Sequence, residues 1–213
     1  MPMDTRTFYD RISGAYDLLA DASEGACREQ GLRMLDVQPG ERVLEVGFGT
    51  GHAITMLAST TRASGQVVGI DVSSGMLGVA RRRVESAAVG NLSFVLSDAR
   101  ALCFPDHVFD ASFVSFTLEL FELADIAIVL REVGRVLRPM GRLGIVAMAE
   151  TDDSNAMIDI YKWLHRHFPH FVDCRPINVP QHLERAGFRV TGAQSMAIWG
   201  LAVLCALAAK GRG

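Results

Sequence analysis

The chain of 213 residues carries 21 basic and 24 acidic side chains, a formal net charge of -3, with 49% hydrophobic and 21% charged residues. These proportions fit one globular domain, or one domain with a small cap, and exclude a disordered tail, a collagen-like fibre and a small disulfide scaffold. The slight acidic excess offers no general attraction to phosphate backbones, so no nucleic acid is expected as a partner. Cys27, Cys103, Cys174 and Cys205 are scattered, with no CxxC and no Cys/His pair at zinc-ligand spacing. Residues 1–6 show no basic segment leading into an apolar one, and a reducing, cytoplasmic location is expected.

Residues 5–36 read as one or two amphipathic helices with an aromatic front of Phe8, Tyr9 and Tyr16. From about 41 to 150, short runs rich in Val and Ile alternate with helical spacing, which is the pattern of a parallel α/β sheet. Strands are predicted at 43–46, 67–70, 92–96, 109–115 and 144–148, with helices at 51–59, 74–88 and 125–138. The last helix places Ile126, Val129, Leu130, Val133 and Leu137 on one face. Pro139 is expected to end it and Gly141 to turn the chain into the fifth strand.

A helix at 154–168, a loop at 169–180 and a short helix at 180–185 follow. Two apolar strands, about 188–196 and 199–207, are too close in sequence for a crossover and form a hairpin. The uncharged stretch 196–209 spans 14 residues and contains Gly200; a membrane-spanning helix needs about 20, so a buried strand is expected there and no stable membrane insertion. The organisation is a single domain: an N-terminal helical lid at 1–40, a core at 41–150, a cap at 151–186 and a C-terminal hairpin at 187–213.

The segment from Val43 to Gly51 runs from a strand through three alternate glycines, Gly47, Gly49 and Gly51, into a helix. Missing side chains let the backbone turn sharply and approach a ligand at the helix N-terminus. A dinucleotide fingerprint requires a glycine where this chain has His52, and a phosphate loop requires a GK[ST] ending that is absent. The second strand ends in Asp71, 20 residues beyond Gly51, at the position where a carboxylate accepts hydrogen bonds from ribose hydroxyls. The third strand is followed by Asp98, placed to meet an adenine amino group. Together the three signals indicate a nucleoside.

On these motifs, with Phe109-Asp110 opening the fourth strand and the stretch from Arg135 to Gly141, the chain resembles the class I S-adenosylmethionine-dependent methyltransferases. The stretch from Phe8 to Asp17 is similar to the entry segment of the ubiquinone/menaquinone-biosynthesis C-methyltransferases and the related phospholipid N-methyltransferases. The resemblance implies a Rossmann-like seven-stranded sheet with a terminal antiparallel hairpin and S-adenosylmethionine as cofactor. It also implies that Gly47, Gly49 and Gly51 back the methionine moiety and Glu45 supports its ammonium. Asp71 takes the ribose diol, Val72 and Met76 pack the adenine faces, and Asp98 and Ala99 hold its edge. Ser115 sits near the methionyl group and Tyr16 closes over it.

The acceptor is expected between the run that follows the fourth strand, from Phe113 to Phe121, and the cap, with Phe116, Trp163 and Arg175 as its contacts. This composition favours a small, mostly apolar molecule, quinone-like or lipid, with an anionic group near Arg175. The polar Asn and Arg residues usual there in the quinone-methylating relatives are absent. Base candidates are Glu119, Glu150, Asp152, His165, His167 and His170, each with a plain alternative as a solvated residue, and no catalytic residue is assigned. The histidine group lacks zinc spacing, and no metal is expected. The rival readings are a non-catalytic nucleoside-binding module and, more weakly, an oxidoreductase using NAD.

Overall fold

The computed structural model of the chain describes residues 24–150, 175–198 and 200–211. Its centre is a seven-stranded sheet in the order β3-β2-β1-β4-β5-β7-β6. The strands are β1 (Arg42–Val46), β2 (Gln66–Asp71), β3 (Leu92–Leu96), β4 (Phe109–Ser115), β5 (Leu137–Met148), β6 (Phe188–Ile198) and β7 (Leu201–Lys210). Strands β1 to β5 pair in parallel, whereas β7 runs antiparallel to both β5 and β6. The expected Rossmann-like sheet with its terminal hairpin is the fold the chain adopts.

The helices are α1 (24–35 among the described residues), α2 (His52–Thr61), α3 (Ser74–Ala87), α4 (Leu123–Val136) and α5 (Val179–Arg185). Strand side chains alternate between two faces. Val43, Val67, Ala111 and Phe113 pack with residues of α1 and α2, and Leu44, Val68, Val114 and Ile145 with residues of α4 and α5. Helix α4 buries Ile126, Val129, Leu130, Val133 and Val136 completely and has no side-chain cap at Glu122. At about 1.5–3 kcal/mol for each fully buried aliphatic side chain, packing rather than capping holds this helix.

The fifth strand starts earlier than its apolar run suggests. Helix α4 ends at Val136, Leu137 at once pairs with Phe109, and the ladder resumes at Ala111↔Arg142. Residues 138–141 bulge out between these pairs; Pro139 disfavours helical backbone at Arg138. The left-handed position of this turn is Met140, at φ 65, and not Gly141. The missing side chain of Gly141 instead admits the Arg138 carbonyl, 2.9 Å from where a Cβ would lie.

Arg142, just past the bulge, donates to the carbonyls of Leu35 and Asp36 and reaches Glu41 Oε2 at 2.7 Å. The C-terminal end of α1 is thereby tied to β5, which fixes how the rest of the helix lies over the sheet. Among the described residues, no helix is long and apolar enough to cross a membrane.

Candidate functional site

Strands β1 and β4 are neighbours, yet the chain leaves β1 toward β2 and β4 toward β5. Connections that part in opposite directions open a crevice at the carboxyl ends of the strands, where open α/β sheets bind ligands. A cavity of about 670 Å³ lies there. The loop after β1 lines it with Gly47 to Thr50, the end of β2 with Asp71 to Ser73, and the loop after β3 with Asp98 to Arg100. Beyond β4 come Ser115 to Thr117, and α1 contributes Glu24 and Arg28.

The three alternate glycines have three different reasons to be glycine. A Cβ on Gly47 would lie 2.3 Å from Thr117 Oγ1, so this residue makes room for the loop after β4. Gly51, at φ 87, would meet Ala80 Cβ at 2.9 Å and its Cα at 3.0 Å; it lets α3 pack against the start of α2 and does not line the cavity. Gly49, at φ 49, would meet none of the described residues within 4 Å, which leaves its face of the loop open among them to a ligand. Gly51→Ala is therefore expected to lower the melting temperature well beyond Gly49→Ala. The former displaces helix backbone, and the latter costs about 1–2 kcal/mol for a left-handed L-residue. Gly49→Ala should in turn weaken ligand binding in calorimetry, and equal stability losses in both variants would contradict these assignments.

Asp71 holds the same loop from the opposite strand. Its Oδ2 accepts the Gly49 N–H and its Oδ1 the Ser73 N–H, each at 2.9 Å. Ser73 in turn caps α3 by accepting the Met76 N–H at 3.1 Å. Met76 is buried against Phe48 and Ala80 while still bordering the cavity, and Val72 beside it is 43% exposed.

Glu45 points from β1 toward the α1 face and is almost completely buried. Among the described residues its Oε2 has no hydrogen-bond partner. Burial pushes its carboxyl well above the usual range; Arg28 opposes that shift and Asp71 adds to it. Arg28 is itself paired to Glu24 at 3.3 Å on α1. Glu24, Glu45 and Asp71 thus bring three carboxyls to one wall of the cavity, with Arg28 beside them. A ligand with a cationic end suits that wall.

Asp98 is not simply open to a base. Arg100 binds its carboxylate in a fork, with Nη2 to Oδ2 at 2.6 Å, and this contact holds Asp98 below the usual carboxylate range. Ala99 is buried at the cavity wall. Ser115 Oγ is buried without a partner among the described residues, and Phe116 follows it in left-handed backbone at φ 48. A bulky residue held at positive φ is strained, and such strain concentrates at functional sites.

Among the expected acceptor contacts, Phe116 borders the cavity, whereas Arg175 does not: it lies 3.6 Å from Glu122, a lining residue. Of the base candidates, Glu119 is fully buried behind the loop after β4 and does not line the cavity, while Glu150 is exposed. Tyr16, Trp163, Asp152, His165, His167 and His170 lie outside the described residues. The sequence reading missed Glu24, Arg28, Arg100 and Asp125, all of which line the cavity. One signal for the first two was present: Glu24, Cys27 and Arg28 share a helix face with Leu35, so charged residues sit on a stripe that otherwise faces a core.

Residues 43–141 match a family described as a methyltransferase domain. The chain is 33% identical over 147 residues to the ubiquinone/menaquinone biosynthesis C-methyltransferase UbiE of Cellvibrio japonicus, across 67% of this chain and 58% of that one. Its fold is similar to a SAM-dependent methyltransferase from Aquifex aeolicus, with TM-score 0.68 at 22% identity over 97% of this chain and 99% of that one. A Haemonchus contortus N-methyltransferase in complex with phosphomonomethylethanolamine and S-adenosylhomocysteine gives TM-score 0.77 at 17% identity, over 99% of this chain and 61% of that one. Residues 43–141 of the chain thus carry a methyltransferase domain, in the fold of the solved structures it resembles. The chain spans less than two thirds of the length of the curated relative, 58%.

Proposed function

We propose that the chain transfers a methyl group from S-adenosylmethionine to a small, mostly apolar acceptor. The observation that carries this reading is the buried Glu45 Oε2, unpartnered among the described residues, on the same cavity as the open face of Gly49. A buried carboxyl that needs a cation beside it to ionise, in a carboxyl-rich wall on the same cavity as a backbone cleared of side chains, fits a ligand with an ammonium and a slender chain.

In this reading Glu45 accepts a hydrogen bond from the ammonium, Asp71 from the ribose hydroxyls, and Asp98 from the base amino group. Val72 and Met76 border the base, and Ser115 stands at the end of β4 toward the methionyl end. The cofactor supplies a methyl on a sulfonium, which is already activated toward attack. The chain's own task is to hold the acceptor in line and keep water out, and such positioning is worth about 7–11 kcal/mol. Phe116, Leu120 and Phe121 give the cavity an apolar wall on the β4 side, suited to a hydrophobic body fixed by few polar contacts. A quinone-like or lipid acceptor fits that wall. The name of the Cellvibrio japonicus relative places it in quinone biosynthesis.

The test is turnover: methyl-labelled cofactor, incubated with the protein and a metabolite extract, should give labelled product and S-adenosylhomocysteine. Tight cofactor binding without any turnover would favour the non-catalytic module instead. Phe116→Ala should raise the acceptor KM several-fold and leave cofactor affinity within about twofold. A parallel fall in cofactor affinity would move Phe116 to the cofactor side of the site.

A further inference from the structure

The glycine loop cannot hold its own shape. Gly47, Gly49 and Gly51 all sit at positive φ, at 75, 49 and 87, and residues without a Cβ surrender the most conformational freedom when they are ordered. The loop is shaped from outside. Asp71, at the end of β2, accepts the Gly49 N–H at 2.9 Å. Helix α3 supplies a second hold, where Arg83 Nε donates to the Thr50 carbonyl at 2.9 Å.

The peptide unit between Thr50 and Gly51 is fixed at both of its polar ends. Arg83 takes its carbonyl oxygen, and its N–H, on Gly51, donates to the Phe48 carbonyl at 2.9 Å. Arg83 is half-buried and stands three residues after Ala80, the residue packed closest to Gly51; side chains at that spacing share one helix face. One face of α3 thus meets two consecutive residues of the loop, Thr50 by a hydrogen bond and Gly51 by packing. Helix α3 is itself capped by Ser73, whose N–H Asp71 holds, so both holds on the loop run back to the end of β2. Gly49 and Thr50 line the cavity, whereas Arg83 does not. A change of contact at Arg83 reaches a bound molecule through the loop.

We propose that Arg83 is a positioning residue of this site: by fixing the Thr50 carbonyl from α3, it holds the loop in the form that receives the amino-acid end of the cofactor. The proposal rests on the reading of the cavity as a site for S-adenosylmethionine. The nucleoside end depends on Arg83 less, because Asp71 has hydrogen bonds to Gly49 and Ser73 that do not pass through it.

The experiment compares two neutral replacements. Gln carries its amide nitrogen the same number of bonds from Cα as the Nε of Arg, so Arg83→Gln keeps a donor for Thr50, whereas Arg83→Met has a methyl at that place. Both remove the guanidinium, so the difference between them isolates the one hydrogen bond. Met and Gln match Arg in helix propensity, and α3 keeps its cap and its Ala80 contact in both variants. Calorimetry on the full chain uses S-adenosylhomocysteine and, by displacement of it, methylthioadenosine, which has the nucleoside and the sulfur but lacks the amino-acid end. Arg83→Met should weaken S-adenosylhomocysteine about tenfold and methylthioadenosine by no more than about twofold. Arg83→Gln should stay within about threefold of wild type for both. Both ligands are measured on the same sample, so a change in the folded fraction cancels in the ratio of affinities. Equal losses for the two ligands in Arg83→Met, or Met and Gln variants that bind S-adenosylhomocysteine alike, overturn the role of Arg83 and leave the cofactor reading standing. Failure of wild type to bind S-adenosylhomocysteine overturns the cofactor reading itself and this inference with it.

Discussion

Replacing Glu119 with Gln should raise stability progressively as pH increases from about 4.5 to 7, by up to about 3 kcal/mol relative to wild type. The side chain is fully buried, its Oε1 accepts the Met148 N–H at 3.1 Å, and its Oε2 has no partner among the described residues. Burial is the main cause that pushes its carboxyl up to about 7; the two backbone hydrogen bonds oppose the shift, and the nearby Glu24 adds to it. A carboxyl raised in the folded state stabilises the protein while it remains protonated. That contribution is complete below about 4.5, the ordinary range, and is lost as pH climbs through about 7. Gln keeps the acceptor for Met148 N–H and never ionises. Urea midpoints measured from pH 5 to 8 should therefore diverge between the two proteins, and parallel curves would show that Glu119 ionises as easily in the fold as outside it.

The second large effect is expected at Asp71. Asp71→Ala should reduce affinity for S-adenosylmethionine about ten- to a hundredfold, the loss of a charge-assisted hydrogen bond of about 1.5–3 kcal/mol. Part of this is local architecture, because the carboxylate also accepts the N–H groups of Gly49 and Ser73. Asp71→Asn separates the two contributions: its amide retains one acceptor for the loop but presents a donor in place of the other. Calorimetry combined with thermal melting reads both. Unchanged cofactor affinity in a folded Asp71→Ala protein would remove this residue from the ribose site.

The sheet was legible in the sequence because each parallel strand carries a short Val/Ile run and each helix repeats its apolar face, as α4 does from Ile126 to Val136. Gly49 and Asp71 were legible because strand ends and glycine spacing are local signals. The start of β5 was not: Leu137 belongs to the helical repeat by spacing and to the sheet by its pairing with Phe109, and only the tertiary partner decides. The separate duties of Gly47 and Gly51 were hidden for the same reason, since Thr117 and Ala80 lie far along the chain. Arg28 and Arg100 reach the cavity through the docking of α1 and the fold of a loop, neither of which has a periodic signature. Asp98 shows the cost of reading an acid alone, because its orientation is set by a residue two positions later.

The parting of the connections after β1 and β4 divides the cavity by origin. Gly49, Asp71 and Asp98 all come from the β1 to β3 half of the sheet, while Phe116, Leu120 and Phe121 come from the single connection between β4 and α4. The two groups face each other across open space, and the halves they come from touch where Gly47 meets Thr117 and where Arg100 links Asp98 to Asp125 of α4. A new preference for a molecule bound on the β4 side is therefore expected from rewriting Leu120, Phe121 and Glu122, which line the cavity, without replacing a side chain of the β1 to β3 half. Thr117 is the boundary: it is the first position at which a change on one side has to be matched on the other.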